Sequence, residues 1–271
     1  MVRNEGDILK KVIVSTPWTE YYNVTNLEEH NIYEVANREK AITQHDTFKN
    51  ILSNFGVEVI DIEELKGHPN SVFTRDAALV TPEGYIKLRM GLPTRRGEED
   101  WLASILDSIG IPKVAELTPP ATAEGGDIVL AGEVAFISLS PRTNEEGVKQ
   151  LTETLSRMGY EVRVAELKPP LFHIGSVLSM IGPEHVIYCK GIFPKEFFKG
   201  FKKLELECGD FPAGNVLYLG KKEVIVAMDN KIAIEALYME KYTVHTVDLS
   251  EFGKGAGGPT CLVLPVERAS Q

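Results

Sequence analysis

The sequence is short of positive charge: 29 Lys and Arg stand against 39 Asp and Glu in 271 residues, a formal net charge of −10. Broad nucleic-acid binders show clustered positive charge, so no nucleic-acid partner is expected. The deficit still leaves room for one or two arginines to hold a small anionic group. No apolar run approaches the roughly 18–20 residues of a membrane span, so no membrane partner is expected either. The opening Met1-Val2-Arg3-Asn4-Glu5 lacks the basic-then-apolar order of a signal peptide. Three cysteines cannot all pair within one chain, which reads as a reduced, cytoplasmic protein. Also missing are a P-loop string, an H-E-x-x-H motif and any Cys/His spacing suited to zinc. Gly253-Lys-Gly-Ala-Gly-Gly258 matches G-x-G-x-x-G only formally, because Pro259 stands where the dinucleotide motif needs a helix.

What is present is a recurring unit: two strand-like apolar runs, a helical stretch and a third short run. Unit one has runs at 11–14 and 57–62 around a helical stretch at 37–53. In unit two, 71–74 and 77–80 turn at Pro82-Glu-Gly84 into 85–88, followed by a helix at 98–106 and a run at 113–117. Unit three joins 127–130 to 134–138 through Gly132, then shows a helix at 145–158 and a run at 160–164. Unit four has 176–180 and 185–188 around Gly182-Pro183, and its pattern predicts a helix over 194–203. Unit five has 215–219 and 223–227 around Gly220-Lys221, a helix at 231–240 and a run at 243–247. Glycine and proline turns between β-branched runs signal hairpins, and the spacing of Leu151, Leu155 and Met158 marks a helix face. One such unit cannot bury its apolar face alone. Units at 11–65, 69–118, 124–167, 173–210 and 214–266 therefore predict one radial α/β domain over 1–271. An ordinary α+β fold with accidental regularity is the alternative.

Cys261 ends Gly255-Ala-Gly-Gly-Pro-Thr-Cys261 at the entrance to an apolar run, where backbone amides could stabilise a thiolate. A lone cysteine is more often a small buried hydrophobe. That reading suits Cys189 within its strand, and Cys208 shows no partner. His173 stands between Pro169-Pro170 and a strand, where a repeat would present an acid–base residue. Its competitors are less well placed: His185 and His245 lie in strand patterns and His45 in a helix. Asp76 follows Phe73-Thr-Arg75, and Glu124 opens Glu124-Gly-Gly-Asp127. At strand starts of successive units they would face one end of the assembly and could grip a planar cation. Taken singly, each is an ordinary turn or capping residue. Arg95 and Arg142 precede helices and could clamp a carboxylate bidentately, or simply be solvated.

Together these segments resemble the pentein superfamily of guanidino-modifying enzymes. The likeness is greatest to dimethylarginine dimethylaminohydrolase, with arginine deiminase next. The resembling pieces are Pro69-Asn-Ser-Val-Phe-Thr-Arg-Asp76, Arg95-Arg-Gly-Glu98, Glu124-Gly-Gly-Asp127, Ser140-Pro-Arg-Thr-Asn144, His173 with Ser176-Val-Leu-Ser-Met180, and Gly257-Gly-Pro-Thr-Cys261. The resemblance implies a five-bladed ββαβ propeller with pseudo-fivefold symmetry. It implies that Cys261 attacks a guanidinium carbon to form a thiouronium intermediate, and that His173 protonates the leaving amine and activates water. Asp76 and Glu124 would hold the guanidinium, Arg95 and Arg142 an amino-acid carboxylate, with Asn70 and Phe73 also at the substrate. No metal or organic cofactor is implied; the partner is a small guanidino compound. Relatives are often homodimers, and the apolar stretch 232–239 could face the core or a second copy.

Departures limit the substrate. Deiminases carry a second guanidinium-binding aspartate where this chain has Gly175, and the dimethylaminohydrolases lack it too. Asn70, Phe73-Thr-Arg75 and Gly258-Pro259 lean towards deiminases, whereas the Arg95 context leans towards dimethylaminohydrolases. The expected activity is hydrolysis of a methylated arginine or an arginine-like compound to citrulline plus an amine or ammonia. Deimination and amidino transfer are the alternatives, and a non-catalytic propeller binding protein is the rival from another class.

Overall fold

Where the sequence marks hairpins with glycine and proline turns, the chain folds into antiparallel pairs. The computed structural model describes residues 1–271 and contains fifteen strands in five three-stranded sheets. The first sheet holds β1 (Ile8–Val14) and β2 (Glu58–Asp61). The second holds β3 (Ala78–Val80), β4 (Tyr85–Lys87) and β5 (Lys113–Glu116). The third is β6 (Ile128–Ala131), β7 (Val134–Leu139) and β8 (Glu161–Glu166). The fourth is β9 (Leu178–Gly182), β10 (His185–Cys189) and β11 (Lys202–Leu206). The fifth is β12 (Leu217–Gly220), β13 (Glu223–Ala227) and β14 (Thr243–Val247). In the last four sheets the middle strand pairs antiparallel with the strand before it and parallel with the strand after it. A tight turn returns the chain antiparallel, whereas a parallel partner requires a crossover.

Helices supply most of the crossovers: α1 (Arg38–Phe55), α2 (Glu98–Ser108), α3 (Glu145–Arg157) and α4 (Lys231–Met239), with a short α5 (Ser250–Gly253) after the last sheet. Asn37, Asn144 and Asn230 cap three of them by accepting from the N–H groups of Lys40, Gly147 and Ala233. Each such cap is worth about 1 kcal/mol.

The first sheet is completed from the far end of the chain. β15 (Leu264–Ala269) pairs antiparallel with β1, so the order there is β15-β1-β2. Neighbouring first strands then touch around a common axis: β6 with β9, β9 with β12, and β15 with β3. The fold is the expected five-bladed propeller, closed by a strand that the repeat reading placed at the end of unit five.

Blade four corrects one expectation. No helix forms over 194–203; the segment runs as turns into β11. Glu196 and Gly200 both take positive φ, which a right-handed helix cannot accommodate. Stacked and edge-on rings of Phe193, Phe197 and Phe198 fill the space, and Phe197, Phe198 and Phe201 lie against the buried Phe136. A second correction concerns the cysteines. Cys189, at the end of β10, is bonded to Cys208 just beyond β11, which leaves Cys261 as the free thiol. The odd count is explained by one disulfide and one thiol, and the reduced reading does not hold for the pair. No helix is long and apolar enough to cross a membrane.

Candidate active site

Short 3-10 turns lead into β3, β6, β9 and β15, and the predicted site residues lie in or beside them. Asp76 follows the turn Pro69–Val72, Glu124 precedes Gly125–Asp127, His173 precedes Ile174–Ser176, and Cys261 is within Pro259–Leu262. Because the blades are arranged around one axis, these equivalent positions converge at one end of it. A small recess there is lined by Asn70, Phe73, Asp76, Arg142, His173 and Cys261, together with Arg95. The structure thus brings all the sequence-predicted residues together, although Glu124 lies just behind the recess wall.

The centre is a hydrogen-bonded pair. His173 Nε2 lies 2.7 Å from Glu124 Oε1, and Nδ1 lies 3.9 Å from Asp76 Oδ1. Glu124 is fully buried: Oε1 also accepts from Arg142 at 2.7 Å, and Oε2 from the backbone N–H groups of Gly91 and Leu92 at 3.0 Å each. Asp76 Oδ2 accepts from Arg95 at 2.7 Å and Oδ1 from the Gly126 N–H at 2.9 Å. Gly126 has no alternative here, since a Cβ would fall 2.6 Å from His173 Nδ1 and 2.8 Å from Asp76 Oδ1. At Gly125 a Cβ would fall 2.1 Å from the Arg75 carbonyl oxygen, so both glycines between Glu124 and Asp127 are required.

Arg95 differs from its expected use. It is turned inward, 2% exposed, and donates to Asp76, to both oxygens of Glu98, and to the carbonyls of Asn70 and Phe73. Its guanidinium positions Asp76 and the Asn70–Phe73 backbone rather than standing free for a carboxylate. Arg142 lies nearer the recess, paired with Glu124 and with its guanidinium carbon 4.5 Å from the centre of the Phe172 ring. Phe73 is buried edge-on to Tyr21. Asn70 donates to the His30 carbonyl at 2.9 Å, while its buried Oδ1 has no partner.

Cys261 is half-buried, and Asn215 Nδ2 approaches its sulfur at 3.5 Å. Burial and then the Asp76 charge push the thiol above its ordinary value, against the pull of the Gly258 N–H, Asn215 and Arg75. For His173, burial works against the charged ring, yet Asp76, Glu124 and Asp127 together hold its pKa above the ordinary value. Burial opposes ionisation of Glu124 too, but His173, Arg142 and Arg95 hold that carboxyl well below the usual range. These surroundings favour the imidazolium beside the carboxylate and the protonated form of the thiol in the same recess.

Three supporting groups escaped the sequence reading. Asn215 precedes β12 and also accepts from the backbone and hydroxyl of Thr260, steadying the turn that carries Cys261. Its position at the start of the fifth unit, equivalent to that of the other site residues, was the available signal. Asp127 gathers hydrogen bonds from Ser138, Ser140 and Thr143, plus the N–H of Ile174, and so ties the Glu124 and His173 turns together; burial pushes its carboxyl up to about 6. Arg75 pairs with Glu5 and donates to the carbonyls of Gly125 and Ile128.

Asp76, Glu124 and His173 could offer metal ligands, since one ligand atom from each lies within 4.8 Å of the others. Both carboxylates are already charge-paired with arginines, so an ion there would compete with Arg95 and Arg142.

The family described as "N,N dimethylarginine dimethylhydrolase, eukaryotic" matches residues 13–268. The chain belongs to this dimethylarginine hydrolase family. An uncharacterized protein of Aeropyrum pernix is 34% identical over 233 residues, covering 84% of each chain. The N(G),N(G)-dimethylarginine dimethylaminohydrolase of Pseudomonas aeruginosa is 28% identical over 225 residues, covering 83% of this chain and 88% of that one. A solved structure of the P. aeruginosa enzyme, a variant complexed with citrulline, superposes with a TM-score of 0.83 at 26% identity. It covers 95% of this chain and 99% of that one. Membership in the dimethylarginine hydrolase family and the propeller fold agree with each other.

Proposed function

We propose that this chain hydrolyses the guanidinium group of an arginine-like substrate, with methylated arginine as the first candidate, through a covalent intermediate on Cys261. The observation that carries this reading is the His173–Glu124 pair at 2.7 Å, beside a recess that His173 shares with Asp76 and Cys261. A cationic guanidinium entering the recess would meet the Asp76 carboxylate and lie near that of Glu124. Its positive charge beside Sγ would favour loss of the thiol proton to solvent. The thiolate then bonds to the guanidinium carbon. The bond from that carbon to the departing nitrogen breaks, and the imidazolium of His173 passes its proton to the leaving amine. Neutral His173 takes a proton from water as the water oxygen bonds to the same carbon. The C–S bond breaks, Cys261 leaves as thiolate, and a ureido product of the citrulline type remains.

The electrostatics fit each stage. Asp76 and Glu124 favour the charged form of His173 until it acts as acid, while Arg142 and Arg95 help to keep Glu124 ionised although buried. Asn70 Oδ1, unpaired and buried, would accept from a substrate N–H, and Arg142 at the recess edge would meet a substrate carboxylate. A second reading, deimination of arginine itself, is favoured by Asn70 and the Phe73-Thr74-Arg75 sequence.

The test is product analysis with dimethylarginine, arginine, agmatine, and arginine plus an acceptor amine. Citrulline with dimethylamine supports the first reading, and citrulline with ammonia from arginine supports the second. A transferred amidino group replaces both with amidino transfer. Cys261→Ser should bind substrate and turn none over; normal turnover by that variant overturns the covalent mechanism.

A further inference from the structure

A second, larger cavity of about 340 Å³ opens beside the recess. Its size lies within the range typical of small-molecule pockets. It borders the catalytic machinery without containing the nucleophile. Asn215 and residues 257–259, which carry the Cys261 turn, form one side, and Phe172, next to His173, lies on another.

The charges of the two spaces differ. In the recess, Asp76 and Glu124 are each neutralised by an arginine. In the larger cavity Asp210 and Asp229 are both exposed, and neither side chain makes a hydrogen bond or ion pair within the protein. No Lys, Arg or His lines it. Aromatic faces do: Tyr33 is 67% exposed and Phe211 is 38% exposed, and Phe172 completes the set. The Arg142 guanidinium already lies 4.5 Å from the centre of the Phe172 ring. The two free carboxylates and the rings of Tyr33 and Phe211 nevertheless share a cavity lined by no cation, and they complement an organic cation rather than a metal ion or an anion.

The wall carrying Asp210 and Phe211 is also held in place. Cys208, immediately before it, is bonded to Cys189, and immediately after it the Ala213 carbonyl accepts from Asn230 Nδ2 at 3.0 Å. Fixed walls lower the ordering cost of binding.

We propose that this cavity binds an organic ammonium ion, alkyl or aryl, beside the reacting centre and separate from the reacting guanidinium. The ammonium group meets Asp210 and Asp229, and its apolar body lies against Phe211 and Phe172. Occupancy does not depend on which guanidino compound is turned over.

The experiment is calorimetric titration of the full chain, as Cys261→Ser to prevent turnover, with benzylammonium as the probe and benzyl alcohol as its neutral counterpart. Saturable one-to-one binding of benzylammonium, undisturbed by excess arginine, is expected. Asp210→Asn/Asp229→Asn should weaken it about tenfold with no change in melting temperature, and benzyl alcohol should bind at least as weakly as that. Equal binding of the alcohol would reduce the site to an apolar cavity, and retained affinity in the double variant would remove the carboxylates from it. Displacement by arginine would move the probe into the recess. A dimer in sedimentation that Phe211→Asp dissociates would assign the face to a second copy of the chain. Each of these four results overturns the proposal.

Discussion

Glu124 Oε1 is shared by two side chains at once, His173 Nε2 at 2.7 Å and Arg142 at 2.7 Å. One buried carboxylate oxygen therefore links His173 to the arginine at the recess edge. This sharing sets the behaviour expected of both.

Glu124→Gln keeps the shape and removes the charge. The pKa of His173 is raised by Asp76, Glu124 and Asp127 against burial, so loss of one carboxylate lowers it. Activity that needs the imidazolium should then fall at lower pH than in the native protein. A kcat loss of about 10²–10⁴ at neutral pH is expected. The check is the pH profile of kcat, and an alkaline limb that does not move would detach Glu124 from His173.

The same coupling reaches stability. A histidine with a raised folded pKa contributes stability that is complete below the ordinary 6.5 and is lost as pH rises through the folded value. The native melting temperature should therefore exceed that of His173→Gln by more at pH 5.5 than at pH 9. Melting curves at the two values decide it, and a constant gap removes the linkage.

Arg142→Ala should raise KM for amino-acid substrates more than for agmatine, which has no carboxylate. Loss of the Glu124 partner lowers kcat for both, so the diagnostic is the split between KM values. Equal KM increases would confine Arg142 to its internal pairing.

Arg95→Ala leaves Asp76 and Glu98 buried without their cation. Breaking such a pair costs about 3–5 kcal/mol, so folding should weaken before any effect on KM can be measured. Denaturant titration gives the value. A fully stable variant with only a raised KM would return Arg95 to the substrate.

Reduction of the Cys189–Cys208 bond should cost about 3 kcal/mol, as expected for a loop spanning a sequence separation of 19. A dithiol reductant should lower the melting temperature of the native chain and leave that of Cys189→Ala/Cys208→Ala unchanged. An unshifted melt in fully reduced native protein would contradict this.

The five units were legible because their signals are local: glycine turns, β-branched runs and helix faces each act over a few residues. The convergence of Asp76, His173 and Cys261 was legible for a related reason, as equivalent places in repeats reach equivalent places in space. Other features depended on long-range partners. The helix expected over 194–203 looked acceptable in composition, yet Phe197, Phe198 and Phe201 gain more by meeting Phe136 from a turn. Cys189 and Cys208 carried no mark of their pairing, which depends on β10 and β11 lying side by side. Arg95 read as a free clamp because two of its partners, Asp76 and the Asn70 carbonyl, belong to the preceding turn of the same blade, although Glu98, three residues on, was a local partner.

The pairing of β15 with β1 has a consequence for when the recess is completed. Cys261 lies just upstream of β15, and its N–H and sulfur are held by contacts to Gly258 and Asn215, while its carbonyl accepts from Arg75. The strand that shuts the ring is thus the one that delivers the thiol to Asp76 and His173. A chain whose other four blades have formed would still hold Cys261 away from Asp76 and His173 until that one strand docks.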